Sequence, residues 1–262
     1  MIRAAAFLLA QAVALAGMLA GMLALAPPAA EAAPRRLIIV RHGEKAGPLA
    51  LCSTGKERAR ALAAQYLSPS NPRSLIAGDP PAAFLVMTLH TLETARPILA
   101  AWGMKPVAPP IAYEPIRNTR PFNARLNKVN QAVVRDLMDN PRWHGKTVVM
   151  VWEHFHIASA ALEAEFPGEK ATLRQLLRLA EIKPWNIVNA PNGRPSLWPG
   201  TVPVTWPDSN FNFFWILDYD RPDAEVPARL KVVRQDFAPP YAGLPSNDWG
   251  TKEPLPAGSG CT

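Results

Sequence analysis

Three short runs of continuous apolar residues, Leu37–Val40 (LIIV), Ala83–Thr88 (AFLVMT) and Thr147–Trp152 (TVVMVW), constrain this chain more than any other feature. They are rich in β-branched side chains and lack polar alternation. That is the pattern of strands covered on both faces, inside a sheet with helices above and below. Helical spacing lies between them. Ala59, Leu62, Ala63, Tyr66 and Leu67 follow the capping-box sequence Thr54-Gly-Lys-Glu57, a second segment runs from about Thr91 to Trp102, and Asn123–Asn140 carries Leu126, Val129, Val133, Leu137 and Met138. Helices are expected again over Ile157–Phe166 and Thr172–Leu179, with Phe213–Leu217 as the last strand. The alternation predicts one α/β domain, a three-layer α/β/α sandwich with a mainly parallel sheet.

In such sheets ligands sit beyond the carboxyl ends of the strands. His42 lies two residues past Val40, His90 two past Thr88 and His154 two past Trp152, so three of the five histidines converge on one edge. Packing alone does not account for that. A zinc reading of Glu153, His154 and His156 is set aside because the segment leaves the strand there, and no metal or cofactor is expected. His144, in a Trp-His-Gly turn, is read as solvent-facing.

The first residues carry a different message. Met1–Ala26 has one early cation, Arg3, and then no charge before Glu31, with Ala30-Glu31-Ala32 fitting a small-residue cleavage site. The layout predicts a secretory signal cut after Ala32, and hence a periplasmic or secreted protein. The apolar run is also long enough to span a bilayer, which keeps an uncleaved anchor as the alternative and gives the only route to a membrane association. The expected organisation is therefore a leader over 1–32, one folded domain over 33–237 and a Pro/Gly-rich irregular tail over 238–262.

The chain carries 28 Lys plus Arg against 21 Asp plus Glu. Removing residues 1–32 takes away one cation and one anion and leaves the excess unchanged. Such a field favours anionic partners. The cations are scattered and no aromatic-interleaved basic stretch appears, which argues against nucleic acid and for a small anionic, phosphorylated ligand. Cys52 and Cys261 stand at opposite ends of the domain, and nothing in the sequence decides whether they pair.

Leu37–Glu44 (LIIVRHGE) followed by LCSTGKERA resembles the opening of the histidine phosphatase superfamily, also called phosphoglycerate-mutase-like. His90-Thr-Leu-Glu-Thr-Ala resembles that family's Arg-x-x-Glu/Gln-Thr-Ala segment. KTVVMVWEH, ending at His154, is similar to its late strand, and Trp206-Pro-Asp with Phe213–Leu217 to its closing strand. The resemblance covers roughly Leu37 to Leu217. It implies a phosphoglycerate-mutase-like fold and a metal-independent phosphomonoesterase in which His42 is the nucleophile. Arg41 would bind phosphate, His154 would stabilise transferring charge, and Glu114 would be the acid for the leaving oxygen, with Glu153 as its rival. Glu44 and His90 complete the expected substrate contacts. His90 stands where the family has a second arginine, so a weakened clamp is expected, with Arg96, Arg117 or Arg120 as possible substitutes. The alternative is a phosphate-ligand or partner-binding module of the same fold that has lost turnover. The connections Lys105–Pro121 and Lys183–Pro207 are expected to form the pocket lid.

Overall fold

The computed structural model describes residues 33–107, 119–190, 201–251, 255 and 257–262. The strands are β1 (Arg36–Arg41), β2 (Ala83–Val86), β3 (Thr147–Trp152), β4 (Ile187–Ala190), β5 (Phe213–Asp218) and β6 (Arg229–Arg234). The helices are α1 (Ser53–Ala61, continued by a π turn over Leu62–Tyr66), α2 (Leu89–Trp102), α3 (Arg120–Asp139), α4 (His154–Ile157), α5 (Ala160–Glu165) and α6 (Leu173–Leu176).

The six strands form one sheet in the order β2-β3-β1-β5-β6-β4. β1 pairs in parallel with β3, and β2 with β3, so the three apolar runs lie side by side at one half of the sheet. β5 runs against both its neighbours, and β4 is parallel to β6. One reversed strand in six makes the sheet mainly parallel, as the sequence predicts.

Alternate residues of β1, β2 and β3 feed two cores. Leu37, Ile39, Leu85, Met150 and Trp152 pack under Leu126, Val134 and Leu137 of α3 and under Leu173 of α6. Ile38, Val40, Phe84, Val149 and Val151 pack against Leu62, beyond α1, and Ala95, Ile98 and Leu99 of α2. β1, β2 and β3 are therefore buried on both faces, which explains why their sequences show no polar alternation.

The structure corrects several element boundaries. Thr54 does not cap α1; Cys52 occupies that position, without a side-chain cap bond. The expected helix over Ile157–Phe166 is two pieces, because Ala158 is extended and Ser159 restarts the chain by accepting from the Leu162 N–H. Thr172 caps a single short helix rather than a run to Leu179. β5 is not the last strand, since β6 follows it.

Residues 238–262 contain no strand or helix among those described, yet they are tied down. Cys261 is disulfide-bonded to Cys52. The Ser53 N–H donates to Ser259 O at 3.2 Å and the Thr262 N–H to Lys45 O at 2.9 Å. Residues 1–32 lie outside the described part, and no described helix is long and apolar enough to cross a membrane.

Candidate active site

The carboxyl ends of β1 and β3 lie side by side, Arg41 paired with Trp152 and the His42 N–H donating to Trp152 O at 3.1 Å. After β1 the chain must pass very close to α1. A Cβ on Gly55 would lie 2.2 Å from the Glu44 carbonyl oxygen, and one on Gly43 2.8 Å from that of Gly55. Only glycine admits this contact. The loop is then pinned from α2. Thr94 Oγ1 accepts from the Gly43 N–H at 2.9 Å and donates to His90 O at 2.8 Å, while Glu93 accepts from the Leu51 N–H at 2.7 Å. The Glu-Thr-Ala segment thus acts as a clamp on the loop carrying His42.

β3 ends against α3. Asn130 accepts from the Trp152 indole N–H at 2.7 Å and donates to the carbonyls of His156 and Ala171. This fixes the turn on which His154 stands. His156 points elsewhere, its Nε2 3.2 Å from Asn127.

His42, His90 and His154 do come together. The His42 ring centroid is 5.8 Å from each of the other two. His42 is fully buried, its Nδ1 2.7 Å from Gly43 O and its Nε2 3.2 Å from a Glu153 oxygen. Burial pushes its pKa down to about 4, against the attraction of Glu153 and reinforced by Lys45, so the ring is neutral near neutral pH. His90 has Nε2 on Gly47 O at 2.9 Å and Nδ1 4.0 Å from Glu153. Burial lowers its pKa too. His154 has Nε2 2.6 Å from Asp208, and burial and the Arg41 charge press its pKa down to about 3.

Glu153 is the hub. It accepts from Thr88 Oγ1 at 2.5 Å and from Lys45 Nζ at 3.3 Å. Burial favours its protonated form, but the adjoining His42 and Lys45, with the hydrogen bond from Thr88, outweigh burial and hold it well below the usual carboxylate range. Arg41 is buried, with Nη1 donating to the carbonyls of Pro207, Asp208 and Asn210 and its guanidinium 3.8 Å above the Phe211 ring. Burial lowers its pKa to about 9, which leaves it a cation at neutral pH.

Beside this cluster opens a cavity of about 580 Å³ lined by Arg41, Lys45, His154 and Asp208 on its polar side and by Phe155 and Phe211 on its apolar side. The disulfide-tethered C-terminal segment closes it through Pro245, Asn247, Leu255 and Thr262. Of the lid stretches expected from the sequence, residues 108–118, with Glu114 and Arg117, and residues 191–200 lie outside the described part. Arg96 is exposed on α2, and Arg120 lies over the Phe166 ring. Neither lines the cavity. Glu44 does, but its carboxylate is bound to Arg58 at 2.7 Å.

Two residues of the site, Lys45 and Asp208, do not stand out in the sequence. Lys45 adjoins the Arg-His-Gly-Glu segment and Asp208 belongs to the Trp-Pro-Asp stretch, so both sit beside recognisable signals. Which way they turn depends on the loops.

No protein-family model and no curated protein matches the chain. Among solved structures it is similar to a mycobacterial glucosyl-3-phosphoglycerate phosphatase, at a TM-score of 0.40 and 15% identity over 78% of this chain and 99% of that one. It is also similar to mycobacterial hydrolase 2, at 0.37 and 12% over 85% and 93%, and to mycobacterial hydrolase 1, at 0.39 and 14% over 84% and 100%. Likeness at this level assigns neither activity nor substrate.

Proposed function

We propose that the chain is an exported, metal-independent phosphomonoesterase that hydrolyses a small phosphorylated substrate through a phosphohistidine on His42. The observation that carries this reading is the hydrogen bond from His42 Nδ1 to Gly43 O. A carbonyl can only accept, so Nδ1 bears the hydrogen and Nε2 keeps a lone pair, at the sheet edge and among Arg41, Lys45 and His154.

In the first half-reaction Nε2 attacks phosphorus while the bond to the leaving oxygen breaks. That oxygen takes a proton from Glu153. The carboxylate is ionised beside Lys45 and Thr88, but a phosphate dianion brought alongside raises its proton affinity, as any like charge does. Lys45, the partnerless Arg41 Nε–H and a His154 ring made cationic between Asp208 and the phosphate supply the charge that stabilises the transferring group. In the second half-reaction water attacks the phosphohistidine, gives its proton to Glu153, and inorganic phosphate leaves.

A second reading, a phosphate-binding module without turnover, is favoured by one observation. Glu153 covers Nε2, and His90, where the resemblance would put an arginine, turns its Nε2 to Gly47 O. Hydrolysis of an aryl phosphate with EDTA present, beside His42→Ala, separates the two. Activity that survives chelation and falls at least about a thousandfold in the variant supports the enzyme. An inactive wild type that phosphate still stabilises thermally supports the module.

A further inference from the structure

We propose that His42 Nε2, the Glu153 carboxylate and His154 form a binding site for a divalent transition-metal ion of the zinc class, which caps the nucleophile and inhibits the enzyme.

The placement of the ring hydrogens is the deciding observation. A neutral imidazole bears one ring hydrogen, and each of these rings directs one nitrogen at an acceptor: His42 Nδ1 at Gly43 O, His90 Nε2 at Gly47 O, and His154 Nε2 at Asp208. The other nitrogens, His42 Nε2, His90 Nδ1 and His154 Nδ1, are buried and without a hydrogen-bond partner. Two of them face the Glu153 carboxylate, at 3.2 and 4.0 Å. Lys45 is on that carboxylate at 3.3 Å, yet two ring nitrogens remain bare against it, more donor atoms than the one ammonium serves.

A ring held through one nitrogen by a carbonyl or carboxylate, with the other left bare, is how metal-binding histidines are oriented. One donor atom each from His42, Glu153 and His154 lies within 4.8 Å of the others. Bonds of about 2.0–2.2 Å put ligand atoms on a tetrahedral ion about 3.3 Å apart, so the 3.2 Å edge between His42 and Glu153 already fits and His154 closes by at most about 1.5 Å. Two imidazoles and one carboxylate suit zinc better than calcium or magnesium. His90 Nδ1 stands beside Glu153 as a fourth donor. Lys45, now on Glu153, must give way, and its part-exposed side chain has a path to solvent.

The site goes beyond the phosphatase reading and is testable apart from it. His42 Nε2 cannot hold a metal and attack phosphorus at once, so metal and turnover compete for one lone pair. The test is Co²⁺ titration of the full chain, followed by visible d–d absorption, with His42→Ala, Glu153→Gln and His144→Ala in parallel and circular dichroism as the check on folding. The first two variants are expected to weaken Co²⁺ binding at least about tenfold, and His144→Ala, which alters an exposed histidine, to leave it unchanged. Zn²⁺ should suppress aryl phosphate hydrolysis and EDTA restore it. Binding through His42 and Glu153 in a chain that hydrolyses nothing would support the site and remove the phosphatase reading. Hydrolysis indifferent to Zn²⁺, no Co²⁺ bound by the folded wild type, or a spectrum unaltered in His42→Ala and Glu153→Gln would overturn the site.

Discussion

Two buried polar groups stand at the carboxyl edge of this sheet, and they differ in how completely they are satisfied. On one side Arg58 reaches Glu44 through Nε and Nη2 at 2.7–3.1 Å, Gln235 through Nη1 at 3.3 Å and Pro245 O at 2.9 Å. On the other side His42, His90 and His154 each keep a bare, buried nitrogen. A buried group that is fully paired holds the fold and leaves nothing over for a ligand. Buried groups left bare raise the energy of the fold, and that is tolerable where a ligand completes them. The first group joins α1, the residue after β6 and the C-terminal segment around the loop; the second gathers His42 from the loop, His90 from α2 and His154 from α4.

The contrast breaks most sharply at Arg58. Arg58→Ala leaves the Glu44 carboxylate buried without its cation and is expected to cost about 3–5 kcal/mol in urea unfolding. A cost below about 1 kcal/mol would mean that the pair is not structural. Next comes the tether. Replacing Cys52 and Cys261 together by Ser frees a loop spanning 209 positions and is expected to cost about 2–4 kcal/mol, with a rise in KM because Leu255 and Thr262 line the cavity. Loss of stability with KM unchanged would detach the C-terminal segment from substrate binding.

A smaller effect sharpens the contrast within the histidines. Burial pushes the His156 pKa from 6.5 down to about 4, so the unfolded chain binds a proton there that the folded chain refuses. Stability from this group is whole above about pH 6.5, falls as pH drops toward 4, and changes no further below that. His156→Gln, which does not titrate, should flatten the pH dependence of Tm in that window by the equivalent of about 1–3 kcal/mol. A profile parallel to wild type would show that His156 is not held neutral by burial. Because His156 faces Asn127 rather than Glu153, Co²⁺ binding should be unchanged.

The sequence made one half of this molecule plain and left the other half obscure, for physical reasons. β1, β2 and β3 were legible because strands buried on both faces have no polar side to confuse the pattern, and the convergence of His42, His90 and His154 followed from their parallel pairing. β6 was missed because Arg229 and Lys231 turn outward and break its run, and β4 is only four residues long. Thr54 reads as a cap, yet the cap stands two residues earlier, at Cys52, and Gly55 is already inside the helix where it passes Glu44. At the site, Glu153 was legible as a neighbour of His154 but not as the group facing His42, since that depends on the turn set by Asn130. The Cys52–Cys261 pairing rests on the path of the whole chain and has no local signal.

The smallest expected stability effect is the most telling. His42→Ala removes a ring with one hydrogen bond, to Gly43 O, and one bare nitrogen against an anion. Losing the bond and the packing destabilises; losing the buried bare nitrogen and its repulsion from Glu153 stabilises. The two nearly cancel, so the unfolding free energy should move by less than about 1 kcal/mol in either direction, while hydrolysis falls at least about a thousandfold. A variant destabilised as much as Arg58→Ala would place His42 with the structural pair and erase the distinction between the two groups. A stable, inactive variant would mean that the cost of holding Nε2 bare is met by the rest of the fold, which is what a nucleophile kept ready in a dry site requires.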